Sequence, residues 1–92
     1  MNNPSKSKPY EVRFKPSAGR EWDRLPSEVK SRIQPAFGNL ARNPRPSGVK
    51  KLQGRRDIYR IRVGDYRVVY EINDEERIVR IARIGHRSEV YE

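Results

Sequence analysis

No cysteine occurs in the chain, which excludes a disulfide framework, a thiol nucleophile and a thiolate metal site. A single histidine and no clustered carboxylates leave no donor set for a protein-built metal centre, so no metal is expected. Hydrophobic residues make up only 34% of the sequence, and no apolar run approaches the roughly 18 residues needed to span a bilayer. The opening MNNPSKSKP also lacks the apolar middle of a signal peptide. A cytoplasmic protein with no membrane partner is expected.

What the 92 residues do have is positive charge, with 21 Lys+Arg against 12 Asp+Glu and a formal net charge of +9. The isoelectric point is near 10.4 and the mean hydropathy is -1.04. A polyanion is the natural partner of such a chain. Fifteen of the cations are arginine, whose planar fork grips phosphate oxygens in pairs and stacks on bases. No basic helix carries a large apolar face, so nucleic acid is favoured over a membrane surface. An acidic protein partner fits the same charge. The length suits one domain that buries about 60 to 65% of its unfolded surface. Enough Val, Ile, Leu and aromatic residues recur in periodic runs for it to fold.

The stretch Tyr59 to Tyr70, YRIRVGDYRVVY, organises the rest. Two runs of β-branched and aromatic residues flank Gly64-Asp65, a pair suited to a tight hairpin turn. A two-residue turn sets Val63 against Tyr66, Arg62 against Arg67, Ile61 against Val68, Arg60 against Val69 and Tyr59 against Tyr70. Side chains alternate along a strand, so Tyr59, Ile61, Val63, Tyr66, Val68 and Tyr70 share a core face. Arg60, Arg62 and Arg67 share the other. Like charges directly opposite on a sheet cost about 0.2 to 1 kcal/mol, so Arg62 facing Arg67 works against the fold. One arginine there is an ordinary solvated side chain; three converging arginines point to an anion site.

Along the chain, residues 1–9 read as a flexible tail and 10–92 as the folded domain. Tyr10 to Lys15 alternates as a strand, and Pro16-Ser17 opens a short helix through Leu25 with Trp22 inward. Ser27 is expected to cap a second helix in which Val29, Ile33, Phe37, Leu40 and Ala41 recur at helical spacing. Pro35 inside it predicts a kink or break near Gln34. Asn43 to Gly54, with two prolines and two glycines, reads as a loop, and Lys50, Lys51, Arg55 and Arg56 crowd its end. Strands over 66–73 and 77–85, joined at Asp74-Glu75, pair Arg67 with Ala82 and Val69 with Arg80, which puts Arg80 on the cationic face. The expected fold is α+β: order β-α-α-β-β-β, with a two-helix hairpin on one face of a mainly antiparallel sheet. The basic face stays open.

The pattern KKLQG, then YRIRVGDYRVVYEI, then a final strand ending IGHRSEVY resembles the RelE/ParE superfamily of bacterial toxins, most closely its RelE branch, over Tyr10 to Tyr91. The resemblance implies the toxin of a type II toxin-antitoxin system. Such a toxin is a metal-independent endoribonuclease without cofactor that cuts messenger RNA in the ribosomal decoding site and is held inactive by a cognate antitoxin. RelE-like toxins carry basic residues at the positions of Arg60, Arg62, Arg67 and Arg87 and a tyrosine at Tyr91. The best-known member has lysines where this chain has Arg60 and Arg62, and an arginine cannot readily accept a proton.

On that basis Arg62 and Arg67 are assigned to the phosphate, Arg60 to RNA position, Arg87 to the leaving oxygen and Tyr91 to stacking on a base. Lys50, Lys51, Arg55, Arg56 and Arg80 are candidates for further RNA contacts. His86 either supplies the missing acid or base or is passive, since strand parity turns it away from Arg87 unless the chain bends at Gly85. Two alternatives remain: a ParE-like gyrase inhibitor without nuclease chemistry, and an RNA-binding module that only docks phosphates.

Overall fold

A computed structural model describes residues 8–52 and 57–90, so Arg55, Arg56 and Tyr91 lie outside the described residues. Strand β1 (Glu11–Phe14) leads into helix α1 (Pro16–Arg24), where Pro16 takes a first-turn position that needs no backbone donor. Helix α2 (Ser27–Arg42) follows, then β2 (Lys50–Lys51), β3 (Ile58–Val63), β4 (Tyr66–Asn73) and β5 (Ile78–His86). They form a five-stranded sheet in the order β1-β5-β4-β3-β2. The outer strand β1 runs parallel to β5, and all other pairs are antiparallel. Both helices pack on one face, as expected.

Three local expectations are corrected. Pro26, not Ser27, stands at the start of α2, and no side chain caps it. The helix continues through Pro35 from Ser27 to Arg42 without a break. Pro35 removes one donor, but it lies on the exposed side of the helix, and Ile33 and Leu40 bury the inner face on either side of it. The segment read wholly as loop contributes the two-residue edge strand β2, with Lys50 opposite Arg60 and Lys51 opposite Tyr59.

The first hairpin has the register derived above, pair for pair from Tyr59–Tyr70 to Val63–Tyr66. Gly64 has φ +60 and Asp65 does not share the left-handed region, the pattern of a turn that follows the twist of the strands. The second hairpin differs. Its loop is four residues, Asp74 to Arg77, with Arg77 at φ 55, and the ladder shifts again between Val69 and Tyr70. Arg67 therefore faces Gly85 rather than Ala82, Val69 faces Arg83, and Arg80 faces Glu71.

The core lies between helices and sheet: Ala18, Ile33, Leu40, Val68, Tyr70, Ile72, Val79, Ile81 and Ile84 are buried there together with Tyr59. Tyr66, Trp22, Ile61 and Val63 pack against it, so the tyrosines of the central hairpin are core residues. Glu21 ties α1 to the sheet by accepting from Arg83 Nε at 3.1 Å and from the Ile84 N–H at 2.8 Å. The loop after α2 is held by Tyr70 Oη donating to the Pro44 carbonyl at 2.7 Å. Arg45 donates to Tyr59 Oη at 3.1 Å and to Asp74 Oδ2 at 3.0 Å, and Tyr10 donates to Asp74 Oδ1 at 2.5 Å.

Candidate active site

The alternation that buries Tyr59, Ile61 and Val63 beneath the helices turns Arg60 and Arg62 to the opposite face, and Arg67 joins them from β4. Arg62, Arg67 and Gly85 form one row across three strands. At the end of that row lies a small cavity of about 180 Å³, lined by Arg62, Gly64, Asp65, Tyr66, Arg67 and Arg87. Three arginines, from β3, from β4 and from the turn after β5, therefore share the lining of one small cavity. Arg60 sits one row away opposite Val69 and, at 5% exposure, is the buried charged residue among the described ones.

Arg87 reaches the cavity because the chain turns sharply after β5. Its N–H donates to the Asp65 carbonyl at 2.8 Å, which fastens the C-terminal turn to the hairpin turn. The chain then folds back over the sheet, and Val90 becomes fully buried beside Gly85. A methyl group at position 85 would lie 2.8 Å from Val90 Cγ2, so only glycine leaves room for this return. Arg67 Nη1 donates to the Val90 carbonyl at 3.4 Å. The open face is thus covered in part by the chain's own C-terminal segment.

Arg62, Arg67 and Arg87 line that one cavity, with Arg60 one row away. Arg80 is not among them. The four-residue loop sets it opposite Glu71 rather than Val69, nearer the second turn, where it lines a carboxylate-bearing cavity of about 460 Å³ with Asp57, Glu71, Asp74 and Glu75. Its row partner Glu71 also accepts from Lys15 Nζ at 2.5 Å. Lys50 and Lys51 are exposed on the edge strand next to β3. His86 pairs with Tyr66 on the helix side of the sheet and does not line the arginine cavity. Arg55, Arg56 and Tyr91 fall outside the described residues.

Sequence reasoning missed Asp65, which it took as a turn residue alone. It is the one carboxylate among the residues lining the arginine cavity. The signal was present: an acidic side chain at the tip of a hairpin whose flanking strands carry arginines. A second feature it did not foresee is a groove of about 800 Å³ between α2 and the β2–β3 edge. Pro35, Ala36, Leu40, Ile61 and Val63 give it an apolar floor, and Arg32, Lys50 and Arg62 give it a cationic rim.

Residues 12–91 match the family described as ParE toxin of type II toxin-antitoxin system, parDE. Toxin RelG of Mycobacterium tuberculosis is 36% identical over 84 residues, covering 90% of this chain and 97% of the relative. The mRNA interferase toxin RelE of Escherichia coli K12 is 34% identical over 86 residues, covering 89% and 90%. Among solved structures, the isolated RelE toxin of E. coli superposes with a TM-score of 0.76 at 30% identity over 84% of this chain and 83% of that one. The toxin-antitoxin complex RelBE2 of M. tuberculosis gives 0.73 at 37% identity over 85% and 98%.

Proposed function

The chain belongs to the RelE-like toxin superfamily of type II toxin-antitoxin systems, and from that premise we propose that it is a ribosome-dependent endoribonuclease that cuts messenger RNA in the decoding site and so stops translation. The observation that carries this is the convergence of Arg62, Arg67 and Arg87 on one small cavity. The RelE relative named an mRNA interferase gives the chemistry its class. The cell compartment is then the cytoplasm, where ribosomes translate. Among the described residues no helix is long and apolar enough to cross a membrane.

The reaction is attack of a ribose 2′-hydroxyl on the adjacent phosphate, giving a 2′,3′-cyclic phosphate and a free 5′-hydroxyl. It needs a proton acceptor at the nucleophile, stabilisation of the phosphorane and a proton for the leaving oxygen. Permanently charged guanidinium groups supply the second requirement, because the phosphorane carries more negative charge than the diester it forms from. Arg62 and Arg67 hold its oxygens from neighbouring strands, and Arg87 stands by the leaving oxygen from the C-terminal turn. Arg60 supports the RNA backbone one row away, and Tyr91 offers a ring for a splayed base. Of the residues lining the cavity, Asp65 is the one that carries a carboxyl group, and we assign it as the acceptor of the 2′-hydroxyl proton. A carboxylate is a weak base, which fits an enzyme that cuts only RNA strained on the ribosome.

The partner that silences it is a cognate antitoxin, as in the RelBE complexes that its fold matches. The groove between α2 and the β2–β3 edge suits an amphipathic antitoxin segment, apolar side down, with acidic residues against Arg32, Lys50 and Arg62. Purified protein added to a translating extract, with messenger RNA ends mapped by primer extension, tests the activity. Cuts at ribosome-occupied codons that vanish in Arg67→Ala are expected. Inhibition of gyrase supercoiling without cuts marks a ParE-like activity instead, and RNA binding with neither effect marks a docking module.

A further inference from the structure

Resting on the cleavage activity proposed above, we infer that His86 is a positioning residue: its neutral imidazole closes the turn that seats Arg87 in the arginine cavity, and it carries no proton to or from RNA. Three independent features place it in that role. The sheet register sets His86 opposite Tyr66 on the helix side, whereas the Arg62–Arg67–Gly85 row occupies the other side. Its ring packs edge-on against Tyr66, with centroids 5.6 Å apart and planes at 85°. Its Nδ1 and its backbone groups, meanwhile, bond to Ser88, Glu89 and Val90 just beyond it.

Those bonds form a small cage. The Ser88 N–H donates to His86 Nδ1 at 3.2 Å, and Ser88 Oγ lies 2.9 Å from the same nitrogen. The His86 carbonyl accepts from the Glu89 N–H at 2.8 Å and from the Val90 N–H at 3.2 Å. The His86 N–H in turn donates to Glu89 Oε1 at 3.3 Å. A backbone N–H can only donate, so Nδ1 is an acceptor and the ring proton sits on Nε2. Protonating Nδ1 would set two donors against each other and open the turn. A histidine used in this way cannot also cycle a proton through Nδ1 while Arg87 stays in place.

The arrangement is the histidine counterpart of an Asx turn, in which an asparagine oxygen accepts the N–H two residues on. That equivalence separates the two roles, since the substitution His86→Asn would keep the turn and remove all titration near neutrality. Single-turnover cleavage of ribosome-bound messenger RNA is measured for wild type, His86→Asn and His86→Ala from about pH 5.5 to 8.5, the range in which histidine titrates. Backbone amide exchange is followed in parallel at Ser88, Glu89 and Val90, with the β4 amides as the control for folding. His86→Asn is expected to stay within about 3-fold of wild type with the same pH profile. His86→Ala is expected to lose about 5- to 10-fold in rate, the size of one lost turn hydrogen bond, and to lose protection at those three amides. A drop of about 100-fold or more in both variants, with a limb of the pH profile gone, is the signature of proton transfer and overturns the inference. So does an alanine variant with wild-type rate and protection. If the wild type cuts nothing, the proposed activity fails on its own, and amide exchange alone then decides: lost protection in His86→Ala upholds the turn-closing role, and equal protection overturns it.

Discussion

Replacing Gly85 with alanine isolates the contact that returns the C-terminal segment to the sheet. The new Cβ would meet Val90 Cγ2 at 2.8 Å and Glu89 Oε1 at 3.4 Å. Val90 is fully buried and β-branched, so it has no easy rotamer into which to retreat. Forcing a methyl group into such a site costs about 1 to 3 kcal/mol. Releasing the segment instead forfeits the burial of Val90, about 1.5 to 3 kcal/mol, which sets a ceiling of the same size. The expected destabilisation is therefore about 1 to 2 kcal/mol, a melting-temperature loss of roughly 4 to 8 °C per kcal/mol for a domain of this size. Cleavage should fall as well, because the Val90 carbonyl that accepts from Arg67 moves with the segment. The decisive assay is a double-mutant cycle by urea unfolding with Val90→Ala, which removes the atom that clashes. The double variant is expected to be no less stable than Val90→Ala by more than a few tenths of a kcal/mol, giving a coupling of about 1 kcal/mol or more. Additivity within about 0.5 kcal/mol, the behaviour of sites that do not touch, refutes the packing described here.

Arg62 is exposed and faces Arg67 directly, so Arg62→Gln is expected to raise stability by about 0.2 to 1 kcal/mol in dilute salt, less at high salt, while lowering cleavage; unfolding titrations at two ionic strengths check it. Arg67→Ala is expected to cost about 100- to 1,000-fold in single-turnover cleavage, with Arg67→Lys intermediate because lysine keeps the charge and loses the fork. Asp65→Asn leaves the backbone carbonyl that anchors Arg87 in place, so a loss of about 100-fold or more in rate with unchanged RNA binding identifies the carboxylate as the proton acceptor. The Asp74 carboxyl is held below the usual carboxylate range by hydrogen bonds from Arg45 and Tyr10. A carboxyl depressed in the folded state stabilises it above the ordinary value of about 3.9 and ceases to do so as pH falls through the lower folded value. Asp74→Asn is therefore expected to be less stable than wild type at neutral pH and to converge with it in acid, as thermal melts across pH will show.

The central hairpin was legible because a two-residue turn fixes the register and a slip by one residue would bury three arginines beneath the helices. The second hairpin offered no such lock. Asp74-Glu75 looks like a short turn, but Arg77 adopts the left-handed region and Asn73 Oδ1 accepts the Glu76 N–H at 2.9 Å, which widens the loop to four residues. The bulge beside Val69 then adds one more residue to β5. Neither event has a signature in residue type; the wider loop alone moved Arg80 from Val69 to the side of Glu71, and the bulge then set Gly85 rather than Ile84 opposite Arg67. The return of the C-terminal segment was half visible: Val90 is apolar among polar neighbours, and Gly85 is a glycine at the end of the last expected strand. Only the tertiary contact joins the two observations. Strand β2 was hidden because Lys50-Lys51 has little strand preference of its own and pairs only where β3 presents an edge.

Under the proposed cleavage, the cationic face accounts for how a site without a strong base would favour the transition state. In the free protein, Arg62, Arg67 and Arg87 line one small cavity, and Arg62 and Arg67 stand directly opposite on adjacent strands, where like charges disfavour each other. A phosphodiester entering the cavity relieves part of that repulsion with one negative charge, and the phosphorane relieves more because its charge is greater. In the proposed reaction the relief would grow along the reaction coordinate, so the repulsion would be returned preferentially at the transition state. Lysines at positions 60 and 62 would give the same total charge without the paired donors that bind two phosphoryl oxygens at once. Rigid presentation is what makes the difference count. Two of the three arginines stand on adjacent strands in direct register, and the third is fixed by its backbone to the turn that joins them.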